Sequence, residues 1–591
     1  MASWIERALG TRRAVAVVIA LSIAVAATSI SIGFLTDDHG FRAVLRSSNP
    51  HAPPPHDLFR FIPGDPAGNQ LRIRIGRLPW WAAPDLRIHF LRPLTGLAFA
   101  ADDRLFGGDP LGYHVMSLAW YAALLIAAAA LFRRLLPAAA ATLAVAVLGL
   151  SAAHVDAYAW ISARHVAIAG ALSAAALALH ASRRGRGLAP VVLAVALAAS
   201  EAALAAVPLW IALALADRTR PPRRRWPACA PAILLAVAYL AIYAALGCGT
   251  RGSGGYHDPA ADPLGFVALA AVRVPLLLGD AALGIPAELA HVVAEWKLAL
   301  LGAAAVGLVA LAWKLTSPAA PTGPASHPRA DALVPAADST PSGRVLWLAA
   351  GGIAGTVVGA AAFPAGRVLV IPDLAFAAVI GLVLHRGLAA GWPGRVLAGL
   401  LAIVHLGIAP LQAVRAVDRL AERARATEAI AARIAELAPP AGRVFLVAAS
   451  DPMVFLYPRA ILADQSPGAV RCWSVLSAAR SGHRLTRTGE RSLAIDALDR
   501  PLLDGSFDTL YRGDDRPFAI GDTVEQCGAT IRVAALRAGR PARLEVTMRR
   551  SLDDPELGWL VWRAHRLERL AMPRVGEAVE LPWSAGPTRV L

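Results

Sequence analysis

Ala14-Val15-Ala16-Val17-Val18-Ile19-Ala20-Leu21-Ser22-Ile23-Ala24-Val25-Ala26-Ala27-Thr28-Ser29-Ile30-Ser31-Ile32-Gly33-Phe34-Leu35 is an uncharged run that ends at Thr36-Asp37-Asp38-His39-Gly40-Phe41. A helix of about twenty apolar residues crosses a bilayer. Its core is too long for a cleaved signal peptide, so the run reads as a retained first helix. Arg7, Arg12 and Arg13 precede it and predict a cytoplasmic N-terminus. The two aspartates then emerge on the outer face, where the first long loop begins. Adjacent carboxylates at a membrane surface repel and are costly to desolvate, which predicts a cationic partner or a displaced titration. The plainer alternative is a helix end with solvated acids.

The rest of the 591-residue chain has the same character: 56% hydrophobic residues, a mean hydropathy of +0.51, and apolar residues gathered in long blocks. This composition excludes a soluble globular domain and predicts an α-helical polytopic membrane protein. The net charge of +16 is almost all arginine, the only lysines being Lys297 and Lys314. The arginines cluster near helix ends, so the charge reads as topology and headgroup contact. No nucleic-acid-binding motif is present, and nucleic acid is not expected as a partner. The four cysteines have no metal-ligand spacing, and no metal-binding residues are assigned.

In chain order, a proline-rich polar loop over 39–92 carries Trp80-Trp81, which suits an interfacial aromatic anchor. The apolar part of residues 90–114 is too short to span and should lie along the outer surface. Spans follow over 115–132 and 135–153, then to 183, and over 188–199, 202–216 and 228–246. Residues 264–285 carry Arg273 and Asp280 and read as interfacial or re-entrant. Further spans over 297–315, 345–363, 368–384 and 396–413 bring the total to about eleven, with the short arginine-rich turns on one side. The domain plan is a transmembrane domain over 1–415, with a long first outer loop (36–114) and a Pro/Ala/Ser-rich cytoplasmic linker (317–343). A connecting helix over 416–440 leads to a β-rich extracytoplasmic domain over 441–591, where short strand-like runs alternate with Gly, Pro and Asp turns. Within it Cys472 and Cys527 are either a bridge or two buried thiols.

Several outer stretches together resemble the GT-C superfamily of integral-membrane glycosyltransferases, and most of all the transmembrane-and-tetratricopeptide-repeat protein O-mannosyltransferase group. The resemblance rests on the pair Asp37-Asp38, on Arg92-Pro93-Leu94, on Asp102-Asp103-Arg104-Leu105-Phe106-Gly107 and on Gly112-Tyr113-His114. It continues in the loop from His154 to Arg164, with Asp156 in place of the group's glutamate, and in Arg367-Val368-Leu369-Val370-Ile371-Pro372. It implies a GT-C-like, mannosyltransferase-like enzyme in a bacterial plasma membrane. The enzyme would take a sugar from a polyprenyl-phosphate donor and pass it to a protein or glycan hydroxyl on the extracytoplasmic face. The chain departs from the pattern in five places, one of them Ser117-Leu118-Ala119-Trp120-Tyr121, which stands where the group has Asn-Leu-Leu-Leu-His. Ser200-Glu201 stands where the group has Lys before the glutamate, and His165-Val166 where it has Lys-Asp. The tyrosines near Pro372 are missing, and so are the C-terminal repeats.

Such transfer needs a base for the acceptor, cations for the leaving phosphate and a dry cleft beside the bilayer. Asp37 or Asp38 is the expected base, the other fixing its position or binding a divalent cation. Arg92, Arg164 and Arg367 are expected phosphate clamps, since a guanidinium meets phosphate oxygens with two parallel bonds; headgroup snorkelling is the alternative for each. Asp103, His114, His154 and Glu201 complete the expected substrate-binding set, the histidines otherwise serving as helix caps. No Gly-rich nucleotide loop is present, which disfavours a nucleotide-sugar donor. Two other readings stand beside this one. In one, a degenerate scaffold presents its C-terminal domain to a partner; in the other, the chain is a lipid-sugar transporter. Residues 440–591 acting alone would favour the scaffold, and polar residues within the spans the transporter.

Overall fold

The structure, a computed structural model, describes residues 2–318, 341–449, 451–503 and 505–586. Most of the expected linker over 317–343 lies outside them. The chain forms two compact units that do not follow chain order. The first comprises Met1–Ser31, Leu91–Leu246 and Leu264–Asp418. The second comprises Ile32–Phe90, Gly247–Pro263 and Arg419–Leu591, so residues just after the first helix share a unit with the C-terminal region.

Helices fill the first unit, and the chain is a multi-pass membrane protein. Seven helices among the described residues are long and apolar enough to cross a bilayer; an eighth results if Ala138–Gly149 and Ala152–Ala159, bent by 50°, count as one. Each expected span holds a helix, but Ala189–Ala199 and Glu201–Ala216 are too short to cross singly. Thr11 caps the Arg12–Ala26 helix through the Ala14 amide, and Asp109 caps Pro110–Leu135, which opens on a proline. The Ile161–His180 helix is the most enclosed, at 89% buried, against 17% for Pro222–Ala245, whose apolar surface is left for lipid. Small residues allow backbones to touch: a Cβ on Gly302 would fall 1.9 Å from the Pro275 carbonyl oxygen, and one on Gly381 2.6 Å from the Ala144 nitrogen.

The Pro263–Leu283 helix has the length of a span; its Pro275 packs against Gly302 inside the Glu295–Thr316 helix, while its two charged residues face the ends of other helices. Arg273 meets Glu295, the first residue of the Glu295–Thr316 helix, and the carbonyls of Ala360 and Ala362, just past Pro341–Gly359. Asp280, two turns on, lines a cleft with Asp373, the first residue of Asp373–Gly387. Arg273 and Asp280 thus each face the end of a neighbouring helix.

The second unit is β-rich. Strands β1 (Arg60–Pro63), β2 (Arg87–His89) and β3 (Gly249–Arg251) form an antiparallel sheet. The C-terminal region adds β4 (Arg443–Ala448), β5 (Cys472–Ser477), β6 (His483–Arg487), β7 (Ser492–Ala497) and β8 (Thr523–Gln526). It continues with β9 (Ala529–Arg537), β10 (Arg540–Met548), β11 (Leu557–Arg563), β12 (Arg566–Arg569) and β13 (Ala578–Leu581). They make a six-stranded antiparallel sheet, β13-β6-β7-β10-β9-β8, and a four-stranded sheet, β12-β11-β4-β5. In the latter, β11, β4 and β5 run parallel and are buried on both faces, which their continuous apolar sequences require. β6 and β10 mostly alternate buried with open positions, as strands with one wet face do. Two-residue turns close three hairpins: Cys527-Gly528, Ala538-Gly539 and Ala564-His565, all with positive φ. That conformation matches the right-handed twist of the strands it joins.

Two expectations change here. Trp80 and Trp81 are wholly buried in the core of this unit, where the Trp80 indole donates to the Leu476 carbonyl at 3.2 Å. They are core residues, not interfacial anchors; the core beneath the sheets is apolar enough to take both rings. Cys472 and Cys527 form a disulfide, while Cys229 and Cys248 are buried free thiols.

Candidate functional site

In the first unit, acidic and basic side chains gather in pairs at helix ends. Arg92, just before the Pro93–Phe106 helix, grips Glu201 with two parallel bonds, Nε to Oε2 at 2.9 Å and Nη2 to Oε1. Glu201 is held in turn by its place at the break between Ala189–Ala199 and the following helix. Ser200 caps that break through the Ala202 amide, and its Oγ lies 2.9 Å from His165 Nδ1. Arg367 sits in the short turn before Pro372, bonded to Asp156 at 3.0 Å and lying 5.6 Å above the Trp160 ring. Ser200 links the Arg92–Glu201 pair to His165, and Arg367 lies over Trp160, five residues before His165 in the chain. Arg92 and Arg367 remain partly exposed, at 11% and 25% of the side chain.

Arg164 differs. It is 1% exposed, bonded to Asp102 through Nη2 and to the Tyr113 carbonyl through Nη1 at 3.2 Å. A guanidinium sealed in this way joins helices and offers no open face to a phosphate, which corrects its assignment as a clamp. Asp103 accepts from the Tyr113 hydroxyl at 2.9 Å, bracing the same junction, and His114 is fully buried beside it in sequence. His154 bonds Asp373 through Nε2 at 2.9 Å, with the Tyr121 hydroxyl 3.5 Å from its other nitrogen, so it ties helices together instead of capping one.

Next to Asp373 lies a small cleft lined by Asp280, His405, Gln412 and Ser151. Asp373 Oδ1 is buried there without a hydrogen-bond partner. His405 lies in a π-helical stretch, Ile403–Ile408, and faces the Ala282 carbonyl at 3.0 Å; such stretches recur at functional sites. Glu288 accepts from the Gly366 amide at 2.8 Å, beside Arg367 in the chain. Burial and the nearby Asp156 charge push its carboxyl above the usual range. Among the described residues, no group of three or more His, Cys, Asp or Glu side chains is placed to hold a metal ion.

The expected base lies in the second unit. Thr36 adopts φ 35°, a sparsely populated region for a β-branched residue, and the chain then turns into the Asp37–Leu45 helix. Asp38 is fully buried and its Oδ2 accepts the Leu35 amide at 2.8 Å, so it fixes the turn. Asp37 is half-buried in the first turn of the helix, near enough to Tyr457 and Tyr511 for its charge, after their burial, to raise both phenols.

Sequence reasoning thus found Arg92, Glu201 and Arg367, but it singled out neither Asp156, the partner of Arg367, nor the carboxylates that pair elsewhere in this unit. Asp156 stood inside the motif-bearing loop, and Asp280 interrupted an apolar helix; both were legible signals. Asp102 stood inside a quoted motif as well, whereas Glu288 and Asp373 carried none.

No family model and no curated protein matches this chain. Among solved structures it is similar to the crystal structure of ArnT from Cupriavidus metallidurans bound to undecaprenyl phosphate. The match has a TM-score of 0.37 and 12% identity over 78% of this chain and 89% of that one. A superposition that loose carries no argument about fold or function.

Proposed function

We propose that the protein is a GT-C-type membrane glycosyltransferase that moves a sugar from a polyprenyl-phosphate donor to an acceptor hydroxyl on the extracytoplasmic face. The observation that carries this reading is the placement of Arg92 and Arg367. They come from distant parts of the sequence, each is aimed by its own carboxylate, and both are partly exposed. Paired guanidiniums beside a membrane suit the phosphate of a lipid-linked donor. Charged groups at helix ends in a bilayer are favourable when they pair or line a cavity, as these do.

In this reading Asp37 takes the proton of the acceptor hydroxyl as its oxygen attacks the anomeric carbon. The bond from that carbon to the phosphate oxygen breaks, and Arg92 and Arg367 stabilise the charge left on the polyprenyl phosphate. Asp38 holds the turn that presents Asp37. At two of the motif departures the residues present, His165 and Ser200, are bonded to each other.

The test is transfer in membranes supplied with polyprenyl-phosphate sugars. Asp37→Asn should abolish it, and Arg92→Ala or Arg367→Ala should reduce it at least about tenfold. Unchanged transfer by Asp37→Asn would overturn the base.

A further inference from the structure

We infer that Asp464, in the C-terminal region, is a positioning residue for Asp37, so that this region is a working part of the transferase. The inference rests on the proposed role of Asp37. A nine-residue helix such as Asp37–Leu45 does not hold its own conformation in isolation. Its orientation must come from what grips it, and the grip is concentrated on one carboxylate. His39 and Arg42, three apart and so on one face, are both buried and both reach Asp464 Oδ2: His39 Nδ1 at 2.8 Å and Arg42 Nη1 at 3.0 Å. Asp464 is itself 1% exposed, with Arg46 3.9 Å from its other oxygen. Glu428 stands 3.6 Å from the far nitrogen of His39, and Arg42 lies over the Phe34 ring at 4.0 Å.

Charged groups this deep are tolerated only in good mutual geometry, so the cluster fixes the rotation of the helix as well as its position. The Pro458–Gln465 helix that carries Asp464 also touches it directly: a Cβ on Gly40 would lie 4.0 Å from that of Ala460. Asp37 is two residues before His39. Without Asp464, His39 and Arg42 are left buried against an uncharged neighbour, and the helix shifts to relieve them. A displacement of about 1 Å at a reacting group costs about 10²-fold in rate.

The experiment uses the full chain in membranes, with polyprenyl-phosphate mannose as donor probe and native acceptors. Asp464→Asn, nearly isosteric, should lower kcat about 10²-fold and leave the donor KM within about twofold. Intact Cys472–Cys527 bridging, read by thiol labelling, reports that the unit has folded. Rescue separates positioning from general damage. Gly40→Cys with Ala460→Cys has Cβ atoms at disulfide distance. Once oxidised in the Asp464→Asn background, it should restore kcat at least about tenfold, and neither single cysteine should. Wild-type kcat for a folded Asp464→Asn chain, or no rescue by the cross-link, overturns the inference. If Asp37→Asn remains active in the same assay, the base reading has failed and this inference goes with it; if it is inactive while Asp464→Asn is normal, only the positioning role has failed.

Discussion

The Arg92–Glu201 pair shows what a residue-level reading needs beyond residue type. A bidentate guanidinium is oriented as well as charged, and Arg92→Lys keeps the charge while losing the second bond. Transfer should fall at least about tenfold in Arg92→Lys. Glu201→Gln should fall similarly, because a neutral amide cannot hold the fork. Measured transfer rates in matched membranes check both, and equality with wild type would make the pair a structural tie only. In the second unit, His483 is buried with Ser477 Oγ 2.7 Å from its Nε2, and burial lowers its pKa to about 4. Between that value and the unfolded value of about 6.5, the unfolded chain binds more protons, so stability falls as pH drops through this window. The loss should approach about 3 kcal/mol near pH 4. His483→Gln should flatten that part of the profile in denaturant titrations read by tryptophan fluorescence.

At the scale of elements, close approach at small residues helps to specify how the membrane helices pack. Gly302 meets the Pro275 carbonyl with no room for a methyl group, and both partners are backbone. Gly302→Ala should destabilise the unit by about 1–3 kcal/mol, seen as earlier thermal unfolding in detergent. Gly307, with nothing near its Cβ direction, should accept alanine without loss. Among the strands, the Cys472–Cys527 bridge joins β5 to the turn after β8 and closes 55 residues of chain. Removing it by a double alanine replacement should cost up to about 4 kcal/mol by the loop-entropy argument. Unfolding with and without the pair measures the difference.

For the whole molecule, the decisive fact is that the second unit is assembled from three separated stretches. Its core includes Trp80 and Trp81 from the loop after the first helix, and Ile430 and Ile434 from the Ala409–Leu437 helix, beside the C-terminal strands. A fragment of residues 441–591 lacks all four. It should unfold without a cooperative transition, whereas a scaffold that merely presents a C-terminal domain would leave that domain self-sufficient. Far-UV circular dichroism and the denaturant slope of the isolated fragment decide between them.

The sequence by itself determined what depends on local composition and period. The uncharged run from 14 to 35, the other apolar blocks, and strands such as Arg443–Ala448 declare their states because burial in lipid or between layers constrains every residue of the segment. It also marked Arg92, Glu201 and Arg367, since charges at the ends of apolar runs demand partners. Only the tertiary structure decided which partners they have. Asp102 and Asp103 are adjacent and identical in type, yet one neutralises buried Arg164 and the other braces a tyrosine. Trp80-Trp81 could anchor at an interface or fill a core until the sheets that cover them were in place. Pairing energies fall off within a few ångströms, and no local pattern records which distant segment comes that near.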